Sequence, residues 1–246
     1  MSRITVVTSG KGGAGKSTVS AGLGYALARA GASVLLIDGD AGLRNLDLLL
    51  GIGQEIVFDL SDIFAGNCEP IRAVYPSAMC ENLSLLPAPS KLEGLCSAAE
   101  LRALCRGFAR HYDFVFIDSP AGTGEGFETA VGAADSALVV TTPDAICARD
   151  AGVIGDMLAA RDMEARLIIN RLRVLPVLQG KMPDIDTIID TAGIRLIGVI
   201  PEDEHVTLAG ANGRPLPDRG VAKDCFVNIA RRLCGDYVPL ADLQKM

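Results

Sequence analysis

The chain has 246 residues, of which 49% are apolar and 22% charged, the mixture of a globular protein long enough to enclose a core and neither a disordered nor a fibrous one. Lys plus Arg total 23 against 30 Asp plus Glu, a net charge of −7. With 4 Tyr, 7 Phe and no Trp, that balance argues against a broad nucleic-acid footprint or a base-stacking platform. No apolar run approaches the roughly 20 residues of a membrane helix, and the start is too short for a signal peptide. One cytoplasmic domain over residues 1–246 is expected. The cysteines (Cys68, Cys80, Cys96, Cys105, Cys147, Cys225, Cys234) form no C-x-x-C pair and read as reduced residues of a core or a helix face.

Short β-branched runs alternate with longer helical patterns. Strands are predicted near Ile4 to Thr8, Ser33 to Ile37, Leu83 to Leu86, Phe114 to Ile117, Ala137 to Thr141, Leu167 to Ile169 and Leu196 to Ile200. The runs starting at Val34, Phe114, Ala137 and Leu167 are apolar without alternation, as strands buried on both faces must be, so they should be central. Helices are predicted over Ser17 to Ala30, Ala98 to Tyr112, Ala145 to Arg161, Asp184 to Thr191 and Val221 to Cys234, the first stopped by Gly31. The fold class is therefore α/β: a doubly wound, mostly parallel sheet with helices on both faces. Arg171 to Pro183 is the longest predicted loop. No internal repeat or low-complexity tract divides the chain.

The first strand leads into Gly10-Lys11-Gly12-Gly13-Ala14-Gly15-Lys16-Ser17-Thr18, which fits G-x-x-x-x-G-K-[ST] with a helix directly behind it. Glycines are needed because backbone N–H groups must close around phosphate oxygens with no Cβ in the way, while the helix N-terminus adds its positive dipole. In such a loop Lys16 reaches the β- and γ-phosphates and Ser17 offers a hydroxyl to Mg²⁺. The second strand ends in Ile37-Asp38-Gly39-Asp40 and the fourth in Phe116-Ile117-Asp118, at the carboxyl edge where ligands of open α/β sheets collect. Asp118 fits a Walker B carboxylate. Asp40 fits an acid that orients water for in-line attack and is counted with Ser17 and Asp118 as a metal ligand. Asp38 reads as an ordinary strand-ending cap.

The run Lys11-Gly12-Gly13-Ala14-Gly15-Lys16-Ser17 resembles the deviant Walker A sequence of the MinD/ParA family of P-loop ATPases. The runs Gly39 to Asp47 and Asp118-Ser119-Pro120-Ala121-Gly122 resemble the two switches of its MinD branch, and the likeness extends from Met1 to about Leu233. The resemblance implies an ATP- and Mg²⁺-dependent homodimer in which Lys11 contacts nucleotide on the other subunit, with Asn45 at the dimer interface. It further implies slow, partner-stimulated hydrolysis of ATP to ADP and phosphate, catalysed with Lys11, Lys16 and Asp40. Asn170, Pro201 and Asp203 would lie against adenine, and Arg149-Asp150 near the dimer and partner surface. The output implied is placement of the division septum through MinC- and MinE-like proteins. Gly122, Gly124 and Gly126 would let the second switch reorganise. His111 and His205 show no partner spacing and read as surface residues.

One departure from the family concerns the last eleven residues, Asp236 to Met246, which carry one lysine, two aspartates and Pro239 rather than a basic amphipathic helix. They make a poor anchor for an anionic membrane, so a peripheral location on the inner face of the cell membrane is left open. Other outputs of the scaffold are a DNA-partition or flagellar-number ATPase, a metal-centre maturation ATPase and a small-molecule kinase. The net charge of −7 and the second-switch sequence count against DNA as a partner.

Overall fold

The computed structural model describes residues 3–40, 45–52, 56–89, 95–212, 214 and 216–240. Its strands are β1 (Arg3–Thr8), β2 (Val34–Asp38), β3 (Tyr75–Ser77), β4 (Cys80–Leu86), β5 (Phe114–Asp118), β6 (Ser136–Thr141), β7 (Glu164–Leu172) and β8 (Leu196–Pro201). They form one sheet in the order β3-β4-β2-β5-β1-β6-β7-β8, parallel throughout except for the edge strand β3. The four runs read as central, in β2, β5, β6 and β7, are all interior strands around β1. Their lack of alternation has a direct cause. Leu35, Ile37, Val115 and Val139 face one helical layer, while Val34, Leu36, Phe116 and Leu138 face the other.

The helices are α1 (Lys16–Arg29), α2 (Asn45–Leu49), α3 (Leu60–Phe64), α4 (Ala98–Phe108), α5 (Glu125–Ala133), α6 (Ala145–Ala159), α7 (Val174–Leu178), α8 (Ile185–Ala192), α9 (Glu204–Ala211) and α10 (Val221–Leu233). Residues of α1 and α10 pack on one face of the sheet and residues of α4, α5, α6 and α8 on the other, the doubly wound arrangement expected. Helix α1 ends as Gly31 predicts. Gly31 has φ +97°, its amide donates to the Ala28 carbonyl, and the Ala32 amide donates to that of Leu27, so the chain leaves through a Schellman motif. A capping box between Ser97 and Glu100 starts α4. That helix stops at Phe108 rather than Tyr112 because the chain turns to bring Asp113 to Ser33, whose amide and hydroxyl each donate to the Asp113 carboxylate at 2.8 Å.

The expected loop from Arg171 to Pro183 is corrected. Strand β7 continues to Leu172, with Arg171 at φ +56° and a register shift against β8 that absorbs it, and α7 occupies the middle of the segment. Of the first-switch run, residues 41–44 lie outside the described residues, as do residues 241–246 of the closing tail. Among the described residues no helix is long and apolar enough to cross a membrane.

Candidate functional site

The carboxyl edge gathers the predicted residues because β1, β2 and β5 all end there. The turn after β1 runs through Gly13 (φ +87°) and Gly15 (φ +88°), conformations that a side chain would strain. Gly15 caps α1 in the left-handed conformation, so Lys16, Ser17 and Thr18 begin the helix with its first amides toward the loop. A side chain on Gly15 would run into the Asn170 amide, and one on Gly10 into the backbone of Asp150 in α6. Gly12 is exposed with open space beside it. Lys16 is buried, with 7% of its surface exposed, whereas Lys11 is exposed.

Behind the loop stand two acids. Asp38 and Asp118 are direct partners in the β2–β5 register, and both are buried. Asp118 Oδ1 accepts a hydrogen bond from the Ser20 hydroxyl at 3.2 Å. Burial pushes the Asp118 carboxyl up to about 6, against the pull of the Ser17 hydroxyl, the Lys16 charge and Ser20. Asp38 is pushed up to about 8, by burial first and by the charge of Asp118 second, although the amides of Asp40 and Leu46 favour its ionised form. Asp38 is thus no simple cap: its Oδ1 accepts the Asp40 amide at 3.0 Å and holds the start of the first switch. Asp40 itself is half-buried, close enough that its charge acts on both other acids.

Only two buried side-chain oxygens among the described residues lack a hydrogen-bond partner, Thr8 Oγ1 and Asp118 Oδ2. Both lie at this edge, at the ends of β1 and β5, where a buried polar atom without a partner costs about 1–3 kcal/mol. An orphaned carboxylate oxygen beside Ser17 has the hard-donor chemistry that Mg²⁺ takes. Among the described residues no three His, Cys, Asp or Glu side chains close into a metal cage. That arrangement suits a cation that keeps several waters and uses one or two carboxylates plus substrate phosphates.

The switches are tied to this core. The Gly39 amide donates to the Asp118 carbonyl at 2.9 Å, the Ser119 amide to Val7 and the Gly122 amide to Ser9. Of the three glycines expected to free the second switch, Gly122 alone has a positive φ, +84°. Gly124 precedes α5 in ordinary extended backbone, and Gly126 leaves room for the ring of Pro120.

The residues assigned to adenine are placed differently from one another. Asn170 is buried, and its Nδ2 donates to the Ala14 carbonyl at 2.9 Å, bracing the phosphate loop from β7. Pro201 closes β8 and is buried. Asp203 caps α9, with Oδ1 accepting the His205 amide at 2.8 Å and Oδ2 the Ala222 amide at 3.0 Å. Burial acts to raise its carboxyl, yet those amides and the His205 ring hold it below the usual range. Asp203 is therefore committed within the chain, joining the turn after β8 to the start of α10. His205, read as lacking a partner, lies 3.2 Å from Asp203 through Nδ1.

Sequence reasoning missed Ser20, although its i+4 spacing from Lys16 puts it on the same face of α1. It also missed Thr8, and Asp144 at the start of α6. Burial acts to raise the Asp144 carboxyl, while the Thr142 hydroxyl, the Cys147 amide and the charge of Lys11 bring it below the usual range. The Arg149–Asp150 pair stands at 3.9 Å with Arg149 largely exposed.

Comparison with known proteins gives a consistent result. A septum site-determining protein MinD from Synechocystis is 42% identical over 247 residues, an alignment covering 98% of this chain and 93% of that protein. The MinC:MinD cell division protein complex of Aquifex aeolicus superposes with a TM-score of 0.90 at 35% identity, covering 98% of this chain and 99% of the other. The MinD of Pyrococcus horikoshii, solved with Mg-ADP, gives 0.83 at 29% identity, covering 95% and 96%. Residues 5–216 match the CobQ/CobB/MinD/ParA nucleotide binding domain, and the chain belongs to that family.

Proposed function

We propose that this chain is a MinD-type switch that binds Mg·ATP, hydrolyses it and thereby helps to position the division septum. One observation carries the reading: the two buried oxygens without partners, Thr8 Oγ1 and Asp118 Oδ2, both lie at the ends of strands flanking the glycine loop. In this proposal the amides of Gly10 to Thr18 surround the phosphates and Lys16 meets the β- and γ-oxygens. Ser17 and Asp118 would hold the cation, with Asp40 beside them. Mg²⁺, when bound, supplies neutralisation of charge on the phosphate oxygens. Asp40 orients the attacking water, a positioning task that suits a half-buried acid at the mouth of the site. Asn170 holds the loop, and the Pro201–Asp203 turn borders the base.

The exposed Lys11, close enough for its charge to act on Asp144 and Cys147, can reach nucleotide on a second copy, so ATP closes a homodimer and ADP opens it. Hydrolysis is slow until a partner arrives. The MinC bound to the Aquifex relative supports a MinC-like protein as one partner, and a MinE-like protein is proposed as a second. Partners can shift the equilibrium only through unequal affinity for the two states. We place the protein in the cytoplasm, and the vesicle arm of the test below decides whether ATP brings it to the inner membrane face.

The test is light scattering and sedimentation with Mg·ATP or Mg·ADP. Lys16→Ala abolishes tight nucleotide binding, while Asp40→Ala keeps ATP binding, stays dimeric and does not pellet with duplex DNA; ATP-dependent pelleting with anionic vesicles would add the membrane as a partner despite the closing tail. Unimpaired turnover in the Asp40 variant refutes its assigned role. A monomer with ATP refutes the switch, and pelleting with DNA moves the protein to the partition class.

A further inference from the structure

At the amino edge of the sheet, opposite the phosphate loop, a cavity of about 280 Å³ opens between β7, β8, the end of α10 and the segment from Asp236 to Val238. Arg166 in β7 and Arg195 just before β8 immediately precede Leu167 and Leu196, which are paired in the β7–β8 register, and the Leu167 amide donates to the Arg195 carbonyl at 2.9 Å, so the two residues are neighbours across the strands. Both line the cavity, and Arg232 from α10 completes a third side. The floor includes the Thr5 and Ser136 hydroxyls, 3.0 Å apart.

These arginines are unevenly satisfied. Arg166 donates through Nε and Nη2 to Glu164 Oε1, at 3.1 and 2.7 Å. Arg232 donates to three neutral carbonyls, those of Ile197, Val238 and Pro239, at 2.8–2.9 Å, and is bonded to no carboxylate among the described residues. Burial lowers its pKa from the ordinary value, against a smaller opposing effect of Cys225. The guanidinium of Arg195 has no hydrogen bond or ion pair among the described residues. The remaining acid on the wall, Asp236, is bonded to Arg231 at 3.0 Å. Arg195 and Arg232 therefore line one cavity with no carboxylate bonded to either among the described residues, in a chain whose net charge is −7.

We propose that this cavity is a second anion site, for a phosphate group carried by a small molecule or by a lipid headgroup. Arg195 makes the principal contact, Arg166 and Arg232 flank it, and the hydroxyls of the floor add donors. Planar guanidinium forks suit phosphate oxygens. An anion here would bridge β7, β8 and α10 to the strap from Asp236 to Pro239 that Arg232 holds, tying the closing segment of the chain to the body.

The experiment uses the full chain saturated with Mg·ADP, so that the phosphate loop is filled. Thermal unfolding is followed against inorganic phosphate, and sedimentation against phosphatidylglycerol or phosphatidylcholine vesicles. Wild type, Arg195→Ala and, as a control for general charge, Arg29→Ala on an exposed helix end outside the cavity lining are compared. The expected result is a saturable rise in Tm with phosphate, kept by Arg29→Ala and shifted at least about tenfold to higher phosphate by Arg195→Ala. Sedimentation with phosphatidylglycerol alone, lost in Arg195→Ala, also supports the site and names the headgroup as its source. Responses absent in wild type, or equal in Arg195→Ala, overturn it.

Discussion

Replacing Asn170 with Ala separates two roles for a residue first assigned to the base. Its amide lies 156 residues from Ala14 in sequence and donates to that carbonyl at 2.9 Å within a buried setting. Removing it leaves a buried acceptor in the loop without its donor, which costs about 1–3 kcal/mol. If that bond is what keeps the loop poised for phosphate, the loss appears in binding. At about 1.4 kcal/mol per factor of ten, affinity falls roughly 5- to 150-fold. The assay is titration of the nucleotide-free protein with fluorescent ADP, fluorescent GDP and pyrophosphate, in Mg²⁺. A loop brace weakens all three alike, because pyrophosphate has no base. A loss confined to ADP, with pyrophosphate unchanged, refutes the brace and returns Asn170 to adenine.

Two further outcomes follow from the acids. Asp203→Ala removes the α9 cap, about 1 kcal/mol, and orphans the buried Ala222 amide, about 1–3 kcal/mol. Urea unfolding should therefore show a loss of about 2–4 kcal/mol, and a change within about 0.5 kcal/mol, the size of an ordinary surface substitution, refutes the role. Asp38 has a folded pKa of about 8, above its unfolded value, so the folded state binds more protons between the two. Its contribution is present at low pH and is lost as pH rises through about 8, with a slope of at most about 1.4 kcal/mol per pH unit. Asp38→Asn in nucleotide-free protein should flatten the decline of Tm from pH 5 to 9. An unaltered slope speaks against a proton held there.

Much of the fold was legible because its signals are local. A strand buried on both faces has no alternative to an unbroken apolar run, and β2, β5, β6 and β7 are all written that way. Helices α5 and α9, of nine and eight residues, were not among the predicted helices, and the rest of what escaped was short or irregular. Strand β3 has three residues, one of them Pro76, and pairs antiparallel only at the sheet edge. Helices α2, α3 and α7 have five residues each, too few to show a helical period. The end of β7 was lost because Arg171 takes a left-handed conformation inside a strand, which its sequence does not announce.

The site divides along the same line. The phosphate loop is contiguous, so spacing alone could place Lys16 and Ser17. The acids are another matter: Asp38 and Asp118 each close an apolar strand 80 positions apart, and nothing in either segment says that they meet. They do so because β5 inserts between β1 and β2, putting the two ends in register. Reading Asp38 as a cap followed from seeing one strand end at a time. Once the pair is assembled, its chemistry is constrained. Two carboxyls buried side by side do not both ionise without a compensating charge, and Lys16 supplies one positive charge nearby. The nucleotide-free chain therefore holds a proton at Asp38 near neutral pH. A cation seated against the free oxygen of Asp118 would favour loss of that proton. Because the Asp40 amide hangs on Asp38 and the Gly39 amide on the Asp118 carbonyl, the same event bears on the first switch through bonds already present.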